Sequence, residues 1–118
     1  MVATTIPRRR ALAFLSKANA TAISAGVSVN GARLAASSTP YRRAWAWPQK
    51  PGAADASLRV PVANTGTVYL CGGAEELLGA LPLANDAGPQ ELPADGDLHD
   101  VFLAVATAND GVAVAYCI

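Results

Sequence analysis

The sequence predicts a mainly β protein: a small antiparallel β-sandwich or barrel, preceded by an extended N-terminal arm with capacity for a short helix and a hairpin. Three observations lead there. Short apolar runs recur from residue 58 onward, separated by Asn64-Thr65-Gly66, Asn85-Asp86-Ala87-Gly88-Pro89 and Asn109-Asp110-Gly111, and strands at such spacing with turn residues between them mark all-β domains. The chain has 118 residues, enough for one domain or a small domain plus an arm. Hydrophobic residues make up 52% but aromatics only 6%, and many of the rest are alanine. Alanine buries little area, so the core is thin for the nominal hydrophobicity and suits a protein supported by partners.

Taken in order, Arg10–Ala20 holds good helix formers without Gly or Pro, with Leu12 and Leu15 on one side. A helix so short needs a surface to fold against. Gly26–Val29 alternates, Asn30-Gly31 is a strong hairpin-turn signal, and Ala32–Ala35 returns the chain. Tyr41–Trp47 also alternates, so a strand here puts Tyr41, Arg43, Trp45 and Trp47 on one face. Those aromatics either plug the thin core or form a contact patch, because Trp, Tyr and Arg dominate interface hot spots. Pro48, Pro51 and Gly52 then open a linker to about residue 57.

Beyond it, Leu58–Val62 reads as an edge strand because of Pro61, and Thr67–Cys71 as a strand closed by Gly72-Gly73. Ala74–Leu78 has the character of a helical turn, Ala80–Leu83 of a short strand, and Glu91-Leu92 of a brief pairing. Leu98–Thr107 is expected as the longest strand and Val112–Ile118 as the closing one. The expected division is a basic arm with hairpin and aromatic segment at 1–57, and an acidic β-domain at 58–118.

Charge follows that division. Net charge is zero, yet Arg8, Arg9, Arg10, Lys17, Arg33, Arg42, Arg43 and Lys50 give +8 before the first acid, Asp55. After Arg59 only acids follow: Glu75, Glu76, Asp86, Glu91, Asp95, Asp97, Asp100 and Asp110 give −8 with His99 neutral. Surface ion pairs stabilise a fold little, so foldability does not demand such segregation. Either the halves pack together and cancel, or the basic half meets an acidic protein surface, another copy, or nucleic acid.

Candidate chemistry is sparse. His99 stands between Asp97 and Asp100, where an exposed turn histidine is the simpler reading, and nothing resembles a nucleophile elbow. Asp95, Asp97 and Asp100 lack the glycine and terminal Glu of a calcium loop. Cys71 and Cys117 match no zinc spacing and sit in apolar runs, as buried free cysteines do, although a disulfide between them is open. Gly66 and Gly72-Gly73 look like turn glycines, with no phosphate-binding fingerprint. No catalytic, metal or cofactor-binding residue is therefore assigned, and the chain is expected not to be an enzyme. No segment reaches the roughly 18–20 apolar residues of a membrane span. Arg8–Arg10 followed by Ala11–Leu15 imitates an export signal, but Lys17 and Asn19 interrupt it, so assembly in a cytoplasm is expected.

Residues 63–118 resemble a domain of small virion proteins from tailed phages and phage-like particles. The residues that carry the likeness are Asn64-Thr65-Gly66-Thr67-Val68-Tyr69-Leu70, Gly72-Gly73, Leu81-Pro82-Leu83, the run Leu98–Ala106 and the closing Gly111–Ala115. Cys71 between strand and glycine pair, Glu75–Leu78, and Phe102 at a usual tyrosine position depart from the pattern, and residues 1–57 lie outside it. The resemblance implies a compact β-domain used in heads, head spikes or tails, without enzymatic activity or cofactor. Joined to the charge pattern, it leads to a head decoration or cement protein whose partners are the major capsid protein and copies of itself, in trimers or another symmetric arrangement. Arg8, Arg9, Arg10, Lys17, Arg42, Arg43, Trp45 and Trp47 are the expected assembly contacts. A tail, head-spike or connector component and a nucleic-acid-binding module are the alternatives.

Overall fold

The computed structural model describes residues 12–23, 30–51 and 62–118. Eight strands are seen among them: β1 (Ala13–Ala18), β2 (Ala32–Arg33), β3 (Arg43–Pro48), β4 (Val68–Cys71), β5 (Leu81–Leu83), β6 (Gln90–Glu91), β7 (Phe102–Val105) and β8 (Gly111–Cys117). They form two four-stranded antiparallel sheets, ordered β1-β8-β3-β6 and β2-β7-β4-β5, in a sandwich-like arrangement. The expected mainly β fold is what forms.

The core lies between the sheets. Val68, Leu70, Leu83, Leu103 and Val105 of the second sheet meet Ala44, Ala46, Val112 and Val114 of the first, with Leu34, Tyr41, Leu92 and Leu98 closing the ends. The branched side chains of one sheet supply the volume, so alanines suffice on β3.

Four expectations need correction. Residues 13–18 form a strand, not part of a helix: all six pair with β8, from Ala13 opposite Tyr116 to Ala18 opposite Gly111. Local helix propensity is a weak preference, and six residues of ladder, with Leu15 packed against the core, outweigh it. The run Leu98–Thr107 is not the longest strand. It opens with a 3-10 turn at Leu98–Asp100, capped by the Asp97 side chain, and only Phe102–Val105 is extended. The longest strand is the seven-residue β8. Ala74–Leu78 forms turns, with Glu76 N–H donating to Gly73 O and Ala80 N–H to Leu77 O.

The fourth concerns the division at residue 57. β1 and β3 flank β8 in one sheet, and β2 flanks β7 in the other, so the two parts of the chain share both sheets and one core. The expected strand at Leu58–Val62 and the first arm of the hairpin at Gly26–Val29 lie outside the described residues, apart from Val62, which bridges Lys50.

Candidate interaction surface

Strand β3 alternates between two environments. Ala44, Ala46 and Pro48 are buried, whereas Arg43 is exposed and Trp45 and Trp47 are half-buried on the opposite side. Trp45 and Trp47 do share a face, but it is the outer one, and they do not plug the core. Tyr41 is separated from them. It precedes the strand, is 5% exposed, and donates its hydroxyl to Pro93 O at 2.7 Å. Burial pushes its phenol pKa up.

Register carries the outer face across the sheet. Phe14 lies opposite Ala115, which lies opposite Trp45, which lies opposite Glu91. One row on, Ser16 faces Ala113 and Ala113 faces Trp47. The result is an alanine trough on β8 between Phe14, which is 68% exposed, and the two tryptophans. At the far side, Arg43 donates to both carboxylate oxygens of Glu91, at 2.9 and 3.1 Å. Its guanidinium also stacks 4.9 Å from the Trp45 ring. The hydrogen bond from Arg43, then its charge, holds the Glu91 carboxyl below the usual range. Such an exposed pair orients side chains more than it stabilises the fold. Trp47 donates its indole N–H to Gln49 Oε1 at 3.0 Å.

Of the residues expected to make contacts, Arg42, Arg43, Trp45 and Trp47 are therefore neighbours on or beside β3. Arg42 is exposed and borders a shallow depression with Asp95 and Cys117. Lys17 falls on the inner side of β1, in phase with Leu15 rather than Phe14. Arg8, Arg9 and Arg10 lie outside the described residues.

Two further constellations escaped the sequence reading. One is a polar knot at the end of the first sheet. The Asn64 amide donates to Gly111 O at 2.7 Å and its oxygen accepts from Gly111 N–H at 2.9 Å, so a side chain pairs with β8 as a backbone would. The fully buried Asp110 accepts from the N–H groups of Thr65 and Gly66 at 2.9 and 2.8 Å, with Lys50 Nζ 3.9 Å away. Buried Asn19 donates to Asn30 O and Leu103 O. A Cβ at residue 111 would lie 2.6 Å from Lys17 O and 2.7 Å from Pro51 Cδ, so this convergence admits only glycine.

The other is an apolar cleft of about 380 Å³ beside the β4–β5 edge, lined by Leu70, Cys71, Leu81, Leu92 and Val101, with Tyr41 and Asp97 at its wall. Asp97 is a structural acceptor here. It takes hydrogen bonds from the Ser38 hydroxyl and from Thr39 and His99 N–H at 2.6–2.9 Å. These bonds, Ser38 foremost, hold its pKa below the usual carboxylate range. His99 sits half-buried on the 3-10 turn, with Nδ1 3.1 Å from Ala35 O. Cys71 and Cys117 are both free, on strands of opposite sheets, and burial followed by the charge of Glu76 pushes the Cys71 thiol pKa up. Among the described residues no group of His, Cys, Asp or Glu is placed to hold a metal, and no helix is long and apolar enough to cross a membrane.

No protein-family model matches the chain, and no match is found among curated proteins or among solved structures.

Proposed function

We propose that the chain is a non-catalytic contact module of a tailed-phage or phage-like particle. Its place is a decoration or cement protein on the head, held to the major capsid protein through the outer face of the β1-β8-β3-β6 sheet. The observation that carries the reading is that face. Two tryptophans, Phe14 and Arg43 stand outward while alanines fill the inward positions of the same strand. A monomer that placed its largest side chains for its own stability would turn them inward. Aromatics and arginine around small residues are what a protein-binding surface uses. The likeness of residues 63–118 to virion proteins supports the particle, and Arg8–Arg10 would add attraction to an acidic shell.

Stacking on single-stranded nucleic acid is the weaker reading. Tyr41 is buried, Arg43 is paired to Glu91, and one face of Trp45 is occupied by Arg43. A base-stacking platform needs uncovered rings beside uncommitted cations.

The deciding measurement is quantitative mass spectrometry of purified particles, scaled to the major capsid protein. A copy number of the same order as the capsid protein supports decoration. A handful of copies moves the chain to a tail, head spike or connector, and absence from particles refutes the virion reading.

A further inference from the structure

We propose that two copies of this chain pair through β1 about a twofold axis at Leu15, joining their first sheets into one continuous eight-stranded sheet. The inference concerns the chain alone and does not rest on the particle reading.

β1 is the edge of its sheet, and among the described residues no strand lies beyond it. The hydrogen-bonding groups of β1 that have no strand partner among the described residues can be assigned from β8. Gln49 N–H donates to Gly111 O and Arg42 N–H to Cys117 O, so the odd residues of β8 direct their backbone groups toward β3. Val112, Val114 and Tyr116 then point toward β1, where their partners are Lys17, Leu15 and Ala13. The N–H and C=O groups of Leu12, Phe14, Ser16 and Ala18 are left pointing outward from the edge.

A second extended strand can replace water along the whole of such a row, and this strand is complementary to itself. Antiparallel partners share a face, so a twofold pairing must match outer residues with outer ones. Centring it on Leu15 places Leu12 opposite the second copy's Ala18 and Phe14 opposite its Ser16. All four outward-pointing residues then find partners. On the outer face each large exposed side chain, Leu12 at 50% and Phe14 at 68%, meets a small one. On the inner face Lys17 meets Ala13, and Leu15 meets itself. Edge strands that must stay single carry proline, bulges or several charges. β1 has one lysine, turned inward, and no proline.

The contact is small. A paired stretch of residues 12–18 with two large exposed side chains buries less than the roughly 1,200–2,000 Å² of a stable interface. A dissociation constant of about 1–100 μM is expected, in keeping with a contact that acts among concentrated copies.

Sedimentation equilibrium of the purified full chain over about 1–500 μM tests this. The mass should rise toward that of a dimer. Ser16→Pro removes an N–H that points away from β8, so the chain should stay folded by circular dichroism and remain monomeric. Phe14→Ser, at an exposed position, should weaken dimerisation about tenfold or more. Leu15→Cys should give a disulfide-linked dimer on mild oxidation, because residues on the axis approach to about 4.5 Å between Cα atoms, whereas Ser16→Cys should not link beyond the wild-type background. A mass that stays monomeric throughout, a trimer, a dimer that survives both Ser16→Pro and Phe14→Ser, or equal linking by the two cysteine variants would overturn the proposal.

Discussion

Replacing Asn64 by alanine tests whether the polar knot holds the first sheet to the turn before β4. The substitution removes both hydrogen bonds between the Asn64 amide and the Gly111 backbone. Gly111 O keeps the bond from Gln49 N–H at 3.2 Å, but Gly111 N–H loses the one partner seen for it and is buried. An orphaned buried donor costs about 1–3 kcal/mol, and the lost bond to the carbonyl about 1 kcal/mol more, so a loss of about 2–4 kcal/mol is expected. With an unfolding entropy of roughly 2.1 cal/mol/K per residue over 118 residues, each kcal/mol lowers Tm by about 4 °C, or about 8–16 °C in total. Equilibrium urea unfolding followed by tryptophan fluorescence measures it, since Trp45 and Trp47 both lie in the sheet that Asn64 ties down. Asn64→Asp separates hydrogen bonding from shape. It keeps an acceptor for Gly111 N–H but turns a second oxygen toward Gly111 O and brings another carboxylate near Asp110. It should therefore lose as much as alanine or more. A loss below about 0.5 kcal/mol for alanine, or near-native stability for aspartate, would refute the account.

On β3, Ala46→Leu should cost about 1–3 kcal/mol by overpacking, whereas Trp45→Ser should leave cooperative unfolding intact and abolish co-sedimentation with particle shells. The Asp97 pKa is lowered in the folded chain, so its contribution is present above the ordinary carboxylate range and is lost as pH falls through that lowered value. Urea midpoints measured from neutral to acid pH should decline less steeply at the acid end for Asp97→Asn than for the wild type. Cys117 is half-buried and Cys71 is buried with its thiol pKa raised. Iodoacetamide at neutral pH should therefore label Cys117 in the native chain and Cys71 only after unfolding, as read by peptide mass spectrometry.

Local chemistry made part of this architecture legible. Asn64-Thr65-Gly66 and Asn109-Asp110-Gly111 announce turns, and the apolar runs after them are β4 and β8. What the turns do for each other is not local. Asn64 and Asp110 reach across from one turn to the other, contacts over 47 and 45 residues of chain that have no signature in either tripeptide. The same limit explains β1. Arg10–Ala20 reads as helix while only neighbours in sequence are considered, and becomes a strand because β8 supplies a ladder from the opposite end of the chain. For Trp45 and Trp47, alternation fixed that they share a face but not which one. That depended on whether other side chains could fill the core, and Leu70, Leu83 and Leu103 of the opposing sheet do so with Val112 and Val114 of β8. The apolar cleft and the Asp97 hub were illegible because their parts come from the segments around residues 40, 70 and 97, which no spacing rule connects.

The charge asymmetry dissolves in part when the strands interleave. Arg43 meets Glu91 and Lys50 approaches Asp110, so some of the +8 is answered by acids from the other half of the sequence. Arg33 stacks 4.7 Å from Phe102 and donates to His99 O, and Lys17 turns under β1. The folded outer face is consequently more aromatic than basic, and its hold on a partner would come from excluding water around Trp45, Trp47 and Phe14. Arg8–Arg10 would act differently, as a long-range attraction that salt screens. Contacts of the first kind set how slowly a complex comes apart, and charges of the second kind set how fast it forms. If the proposed role on a particle holds, both kinds of contact would serve it, and this sequence keeps them in separate segments.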